Sequence, residues 1–386
     1  MRKLILILTA LVAPYVLAAQ TPQDSVAAVD SVVPEKKPGL IKRIIDYFDE
    51  SNKKPIGRKM DFSLIGGPYY SSDSKFGIGL VAAGLYNTFP EDTLTKPSNI
   101  SLSFKATTAA HFELGVSGEH IFPHDRYRLT YEVSFSSIRT RYWGVGYDMC
   151  SNDDNESKYR YLASSAEAHF AWRIGRNIYL GPMMTFNYVN AGDLQKPDLW
   201  DGDPLRTFNY GIGASFRFDT RDNLTAPKHG VFVRFDQSFD FKWMGNKYPF
   251  KVNELTAAWY GPLWKGATLA TQLHWRVTWG DTPWALMSSI GGSSSMRGYF
   301  EGRYRDKGEA DICVELRQHV WRRNGVVAWV GAASLFPKLS EINFHEILPN
   351  FGFGYRWEFK KNVNVRVDVG FGKHQSGFFF NINEAF

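Results

Sequence analysis

The chain has 386 residues, a formal charge of +6, two cysteines and an aromatic share of 16%. Its charges of both signs are interspersed, with no concentrated basic patch to hold a nucleic acid. The two distant cysteines, Cys150 and Cys313, exclude a disulfide scaffold, fit no metal-ligand spacing and are expected as unpaired small side chains. The mean hydropathy of −0.30, with no later run long and apolar enough to span as a helix, excludes a helical membrane protein. It does not exclude a β-barrel, whose alternating strands keep the average low.

The first residues read as an export signal. Arg2 and Lys3 precede an apolar run from Leu4 to Ala13, Pro14 ends it, and Val16-Leu17-Ala18 resembles a small-residue cleavage site. Residues 1–18 are therefore expected to be removed; this takes away two positive charges, and 6 − 2 leaves +4. Residues 19–58 read as a periplasmic extension. Its first half is a Pro, Ser, Asp and Lys-rich linker, followed by "GLIKRIIDYFDES", where Leu40, Ile41, Ile44, Ile45 and Phe48 recur at helical spacing. Two placements of this short amphipathic helix stay open: docked on the rest of the protein, or lying at the membrane surface or the pore mouth.

From residue 59 to 386 the period changes to two. In "RTFNYGIGASFRFD", Phe208, Tyr210, Ile212, Ala214, Phe216 and Phe218 share one face, opposite Thr207, Asn209, Ser215, Arg217 and Asp219. "VNVRVDVGFG" sets Val363, Val365, Val367, Val369 and Phe371 against Asn364, Arg366 and Asp368. "NFGFGYRWEF" and "ATLATQLHWRVTW" repeat the pattern. Many runs are about ten to fourteen residues, long for a sandwich strand and suited to a tilted membrane strand. Short turns ("FPHD", "IGRN", "PLWKG", "RRNG", "FKKN") alternate with longer loops at 149–158, 190–206, 280–308 and 337–347. Two connections depart from this alternation: "TFPEDTLTKPSN" is long on the short-turn side and "TTAAH" is tight on the long-loop side. Counting runs predicts an all-β fold, a transmembrane antiparallel barrel of about sixteen strands in the outer membrane.

The longest loop contains Met296-Arg297-Gly298-Tyr299, and the strand after it reads "ADICVELRQHV". Period two puts Asp311, Cys313, Glu315, Arg317 and His319 on its inner face. A Gly-rich loop can fold back into a wide lumen, and a buried Arg297 then needs a carboxylate; Glu315 is the expected partner. Gly298 would let the backbone turn sharply, and Tyr299 would pack on the wall. In the first strand, Gly66, Gly67 and Pro68 weaken pairing. They either loosen a seam between the first and last strands or merely end the strand near the rim. The terminal "SGFFFNINEAF" puts Phe378, Phe380, Ile382 and Phe386 on one face, with Phe386 as a candidate seam residue.

The "RGY" loop, the Glu315 and Arg317 strand, "DTRDNLTAPKHGVFV", "TRYWGVGYD", "VRVDVGFG" and the aromatic last residue resemble the BamA/TamA family of surface-antigen barrels, which insert or translocate other proteins. The resemblance spans most of residues 61–386. It implies a lumen loop held by Arg297, an insertion signal in the last strand, and partners among membrane lipids, other outer-membrane proteins or an assembly complex. It also implies a second acid on the strand after Glu315, where this sequence has Gly331, so Arg297 is expected to have one acidic partner. Tandem POTRA domains precede the barrel in assembly-competent members. Here about forty residues separate the signal from the first strand, too few for a stable domain, so a short form is expected.

No nucleophile elbow, zinc-binding helix motif or phosphate loop occurs. His111, His120, His169 and His274 are scattered without a matched serine pattern, and inward histidines read as pore lining. Solvated acids explain "SNDDNES" and "DLWDGDP" better than calcium does. No catalytic residue, metal or cofactor is expected. The sequence favours a non-enzymatic barrel for outer-membrane protein assembly, insertion or translocation, acting alone or as an accessory subunit. A passive solute channel and a structural docking partner at the cell surface are the alternatives.

Overall fold

The computed structural model describes residues 60–71, 75–86, 89, 97–200, 202–360 and 362–386. The signal peptide, linker and amphipathic helix expected over residues 1–58 lie outside the described residues. Sixteen antiparallel strands close into a barrel. They are β1 (Met60–Ser71), β2 (Lys75–Tyr86), β3 (Ser98–Thr107), β4 (Phe112–Ile121), β5 (Tyr127–Tyr142), β6 (Ser157–Gly175), β7 (Ile178–Gly192), β8 (Arg206–Asp219), β9 (Gly230–Asp240), β10 (Phe250–Pro262), β11 (Ala267–Gly280), β14 (Gly308–Trp321), β15 (Asn324–Phe336), β16 (Leu348–Lys360), β17 (Val363–Gly372) and β18 (Gln375–Ile382). Each strand pairs with its sequence neighbour except where β12 (Ser288–Ile290) and β13 (Tyr304–Asp306) intervene. Those two form a separate hairpin inside the longest loop. One short helix, α1 (Tyr147–Ser151), follows β5.

The burial pattern is that of a soluble protein turned inside out. Met184, Val330, Phe351 and Phe353 point outward and stay well exposed, while Asn209, Asp240, Glu315 and Asp368 are sealed inside. Only a surrounding hydrocarbon phase makes such an outer surface stable, and closure leaves few backbone groups unpaired there. The alternation read from "RTFNYGIGASFRFD" holds in β8: Phe208 and Ile212 are exposed, and Thr207 and Asn209 are buried. On β14, Asp311, Cys313, Glu315 and Arg317 are buried as well. His319, expected on that inner face, instead sits exposed at the rim against the Arg322 carbonyl, because the strand turns there. Both cysteines are free and buried.

Two-residue turns carry Asn177, Arg322, Asn362 and His374 at positive φ, the backbone that matches strand twist in tight hairpins. An even strand number brings the start of β1 and the end of β18 to the short-turn rim. There the closure is thin. β1 pairs with β2 along all twelve of its residues but, among the described residues, meets β18 at one register position, Ser71 at the end of β1 opposite Phe379. Gly66, Gly67 and Pro68 lie inside β1, opposite Leu80, Gly79 and Ile78.

Candidate functional site

The loop between β11 and β14 enters the lumen. Trp284 anchors its first part: fully buried, it packs with Tyr142, Tyr159 and Trp200 and donates from Nε1 to the Pro204 carbonyl at 2.9 Å. The β12–β13 hairpin then carries the tip inward, and Met296, Tyr299 and Tyr304 bury against Cys150, Leu335 and Leu348. The α1 segment braces the hairpin, since the Gly146 amide donates to the Arg305 carbonyl and Arg303 donates to the Cys150 carbonyl. Burial pushes the Cys150 thiol up to about 11. It also pushes the Tyr299 hydroxyl up to about 12, so Tyr299 stays neutral, donating to the Pro349 carbonyl and accepting from the Lys373 amide.

Glycines make the docking surface. Gly298 has φ +116°, and a Cβ there would lie 2.7 Å from the Phe371 amide nitrogen. On the facing wall, a Cβ at Gly370 would meet the Arg297 carbonyl oxygen at 2.5 Å, and one at Gly372 would meet the Tyr299 ring at 2.6 Å. Backbone thus rests on backbone, which only glycine permits at this separation. Asn350 closes the contact, donating to the Ser295 and Arg297 carbonyls.

Arg297 sits at the centre, with no exposed side-chain surface. It contacts Glu315 of β14 directly and reaches Asp368 of β17 at 2.7 Å. Its guanidinium lies 3.6 Å above the Trp329 ring of β15. The expectation of a single acidic partner is therefore corrected: the second acid comes from β17, two strands beyond Gly331. A side chain at 331 is crowded out by backbone, because its Cβ would meet the Ile312 carbonyl oxygen at 2.8 Å. Asp368 stood in plain view on the inner face of "VRVDVGFG", but only closure of the barrel places it opposite Glu315.

The ion pairs form a ring. Arg297 joins Glu315, Glu315 joins Arg317, Arg317 joins Glu384, Glu384 joins Arg356, Arg356 joins Asp368, and Asp368 returns to Arg297. Arg366 adds a fourth guanidinium, 3.5 Å from Asp368. Arg356 lies on the inner face expected from "NFGFGYRWEF", and the tail residue Glu384 comes from outside the predicted set. The tail also corrects the placement of Phe386. It is not at the seam: Asn383 takes a left-handed φ of 68° and ends the strand. Phe386 then packs inside against Ala258, Tyr260, Cys313 and Trp329, and its oxygen accepts from Arg317 at 2.8 Å.

Across the lumen the histidines that looked scattered are gathered with acids. His274 lies within ion-pair distance of Glu254, Glu309 and Asp311, and His169 lies against Glu167.

A closed sixteen-stranded barrel with an apolar belt and a loop tied down inside its lumen defines a class: transmembrane outer-membrane β-barrels with an inward-folded loop. The sequence matches the Omp85 superfamily domain over residues 94–343, and the chain belongs to the Omp85 superfamily, whose place is the Gram-negative outer membrane. The structure of BamA from Haemophilus ducreyi lacking POTRA domains 1-3 aligns with a TM-score of 0.57 at 10% identity, covering 89% of this chain and 78% of that one. CdiB from Acinetobacter baumannii aligns at 0.53 and 14%, covering 84% and 60%, so the chain spans well under two thirds of that protein. CdiB from Escherichia coli aligns at 0.54 and 10%, covering 89% and 70%. At such identities the likeness shows the fold alone. No curated protein matches the sequence.

Proposed function

We propose that this barrel is a non-enzymatic device that places or moves other polypeptides at the outer membrane, by insertion or translocation, alone or as an accessory subunit. The observation that supports it most is the seam: among the described residues β1 and β18 meet at one register position, beside a loop tied to the same wall. An edge strand with unpaired amides and carbonyls is a template for another strand, and Gly66, Gly67 and Pro68 lower the cost of freeing β1. In this reading residues 1–18 are the export signal, residues 19–58 are a periplasmic extension, and Arg297, Gly298, Tyr299 and Glu315 hold the lumen loop. Membrane lipids and other outer-membrane proteins are the partners. The buried arginines of the ring are each paired with a carboxylate, a structural rather than a catalytic use of charge.

The test is a seam lock. Extending the Ser71–Phe379 register places Tyr69 opposite Asn381, so the Y69C/N381C pair can be cross-linked. The lock should impair growth and reduce other outer-membrane proteins in a proteomic profile, and reduction should restore both. A locked barrel that leaves the profile and growth untouched sinks the reading. A solute channel would instead show a large steady conductance that R297A does not change.

A further inference from the structure

Inside the lumen, β5–β7 and β9–β11, with Leu286 from the first part of the loop, line a cavity of about 250 Å³. Glu132, Glu167, Asp236, Asp240 and Glu254 line it with one guanidinium, Arg276. Five negative charges and one positive give the lining a formal charge of −4. The register sharpens the imbalance, since Glu132 stands directly opposite Glu167 on β5 and β6, and Asp236 directly opposite Glu254 on β9 and β10. Facing like charges destabilise a strand pair, and the low dielectric of an interior strengthens the repulsion.

The chain answers this only in part. Arg234 lies 3.0 Å from Asp236 and 3.6 Å from Glu254. Among the described residues no cationic side chain forms an ion pair with Asp240, which is 2% exposed and whose Oδ1 has no partner. His169 is 8% exposed, and its Nδ1 also has no partner. Buried polar atoms without partners are costly and call for an explanation.

One donor atom from each of Glu167, His169 and Asp236 lies within 4.8 Å of the others. Asp236 is further held by the Ser215 hydroxyl and by Arg234, the kind of support that orients a ligating carboxylate. An imidazole with two carboxylates is a mixed nitrogen and oxygen set, which suits manganese, iron or zinc better than calcium or magnesium. We propose that the barrel binds one divalent transition-metal ion here, with Glu167, His169 and Asp236 as its protein ligands. The ion brings the lining from −4 to −2. It ties β6 to β9, strands that do not touch through the sheet. None of the three ligands comes from the loop or the seam strands, so the site does not depend on the polypeptide-handling reading.

The test uses the full chain in detergent micelles, stripped with EDTA and titrated calorimetrically with manganese, zinc and calcium chlorides. One saturable manganese or zinc site is expected, at least tenfold tighter than any calcium binding. H169A should weaken it at least tenfold and S215A about 10- to 100-fold. H111A, at the separate His111–Glu113 pair, should leave it unchanged. If H169A does not fold by circular dichroism, E167Q and D236N take its place. No saturable binding up to millimolar metal overturns the proposal. So does wild-type affinity in the ligand variants, an equal loss in H111A, or calcium binding as tight as manganese and zinc.

Discussion

The two halves of the lumen solve one electrostatic problem in opposite ways. On the seam half Arg356 stands directly opposite Arg366 on β16 and β17, and on the far half Glu132 stands opposite Glu167. Both are like-charge pairs in a low-dielectric interior. The seam half threads Asp368 and Glu384 between its arginines and draws Arg297 in from a loop. Its charges are closed into a ring by the chain itself. The far half has more acids than bases, and among the described residues Asp240 has no ion-pair partner. Register alone therefore does not decide whether a polar lumen is stable. What decides it is whether acids and bases alternate, here through Asp368 of the wall, Glu384 of the tail and Arg297 of the loop.

The largest effect should come from breaking the ring. R297A leaves Glu315 and Asp368 facing each other without their shared cation, and loss of one member of a buried pair costs about 3–5 kcal/mol. Thermal unfolding in micelles should shift accordingly. R297M, which keeps most of the side-chain volume but not the cation, should cost about as much, and a clearly smaller loss would show that packing rather than charge is at stake. Next in size is G298A. With φ at +116° and a Cβ only 2.7 Å from the Phe371 nitrogen, the tip loses about 1–3 kcal/mol of docking. Planar-bilayer conductance should rise while the barrel stays folded; unchanged conductance would mean that the tip does not restrict the lumen.

On the far half the sign reverses. E132Q removes one of two facing carboxylates and should leave stability unchanged or raise it by about 0.2–1 kcal/mol. Destabilisation would show that Glu132 is already compensated and would erase the contrast. The smallest effect concerns the loop brace. With its pKa raised to about 11 by burial, the Cys150 thiol is protonated at pH 8 and shielded. A thiol-reactive dye should label it only after denaturant unfolds the barrel. Labelling of the folded protein at pH 8 would show that α1 and the hairpin separate readily.

The strands were the most legible part of the sequence, because alternation is local: each residue's face follows from its neighbour's. Glu315 could be paired with Arg297 because a buried guanidinium needs a carboxylate and the following strand offered one inward. Asp368 was assigned to the inner face but not to Arg297. Which inward residues meet across a lumen depends on stagger and closure, which no single strand encodes. The tail misled for the opposite reason. Period two carried past Ile382 put Phe386 on the outer face, but one left-handed residue, Asn383, redirects the chain inward. The grouping of Glu167, His169 and Asp236 had only a faint signal, acids and a histidine at inward positions of strands three apart in the barrel order.

Strand length has a consequence for the lipid around the barrel. β6 has 19 residues and β18 has 8. At about 3.3 Å per residue and a tilt of about 45°, β18 spans ~19 Å of the membrane normal. The apolar band of such barrels is about 25 Å tall. β6, by the same measure, spans ~44 Å and overshoots it. Lipid beside β18 must thin to meet the wall, at a cost of a fraction of a kcal/mol per Å. The bilayer is thus strained along one side of the barrel, the side where β1 and β18 share, among the described residues, a single register position.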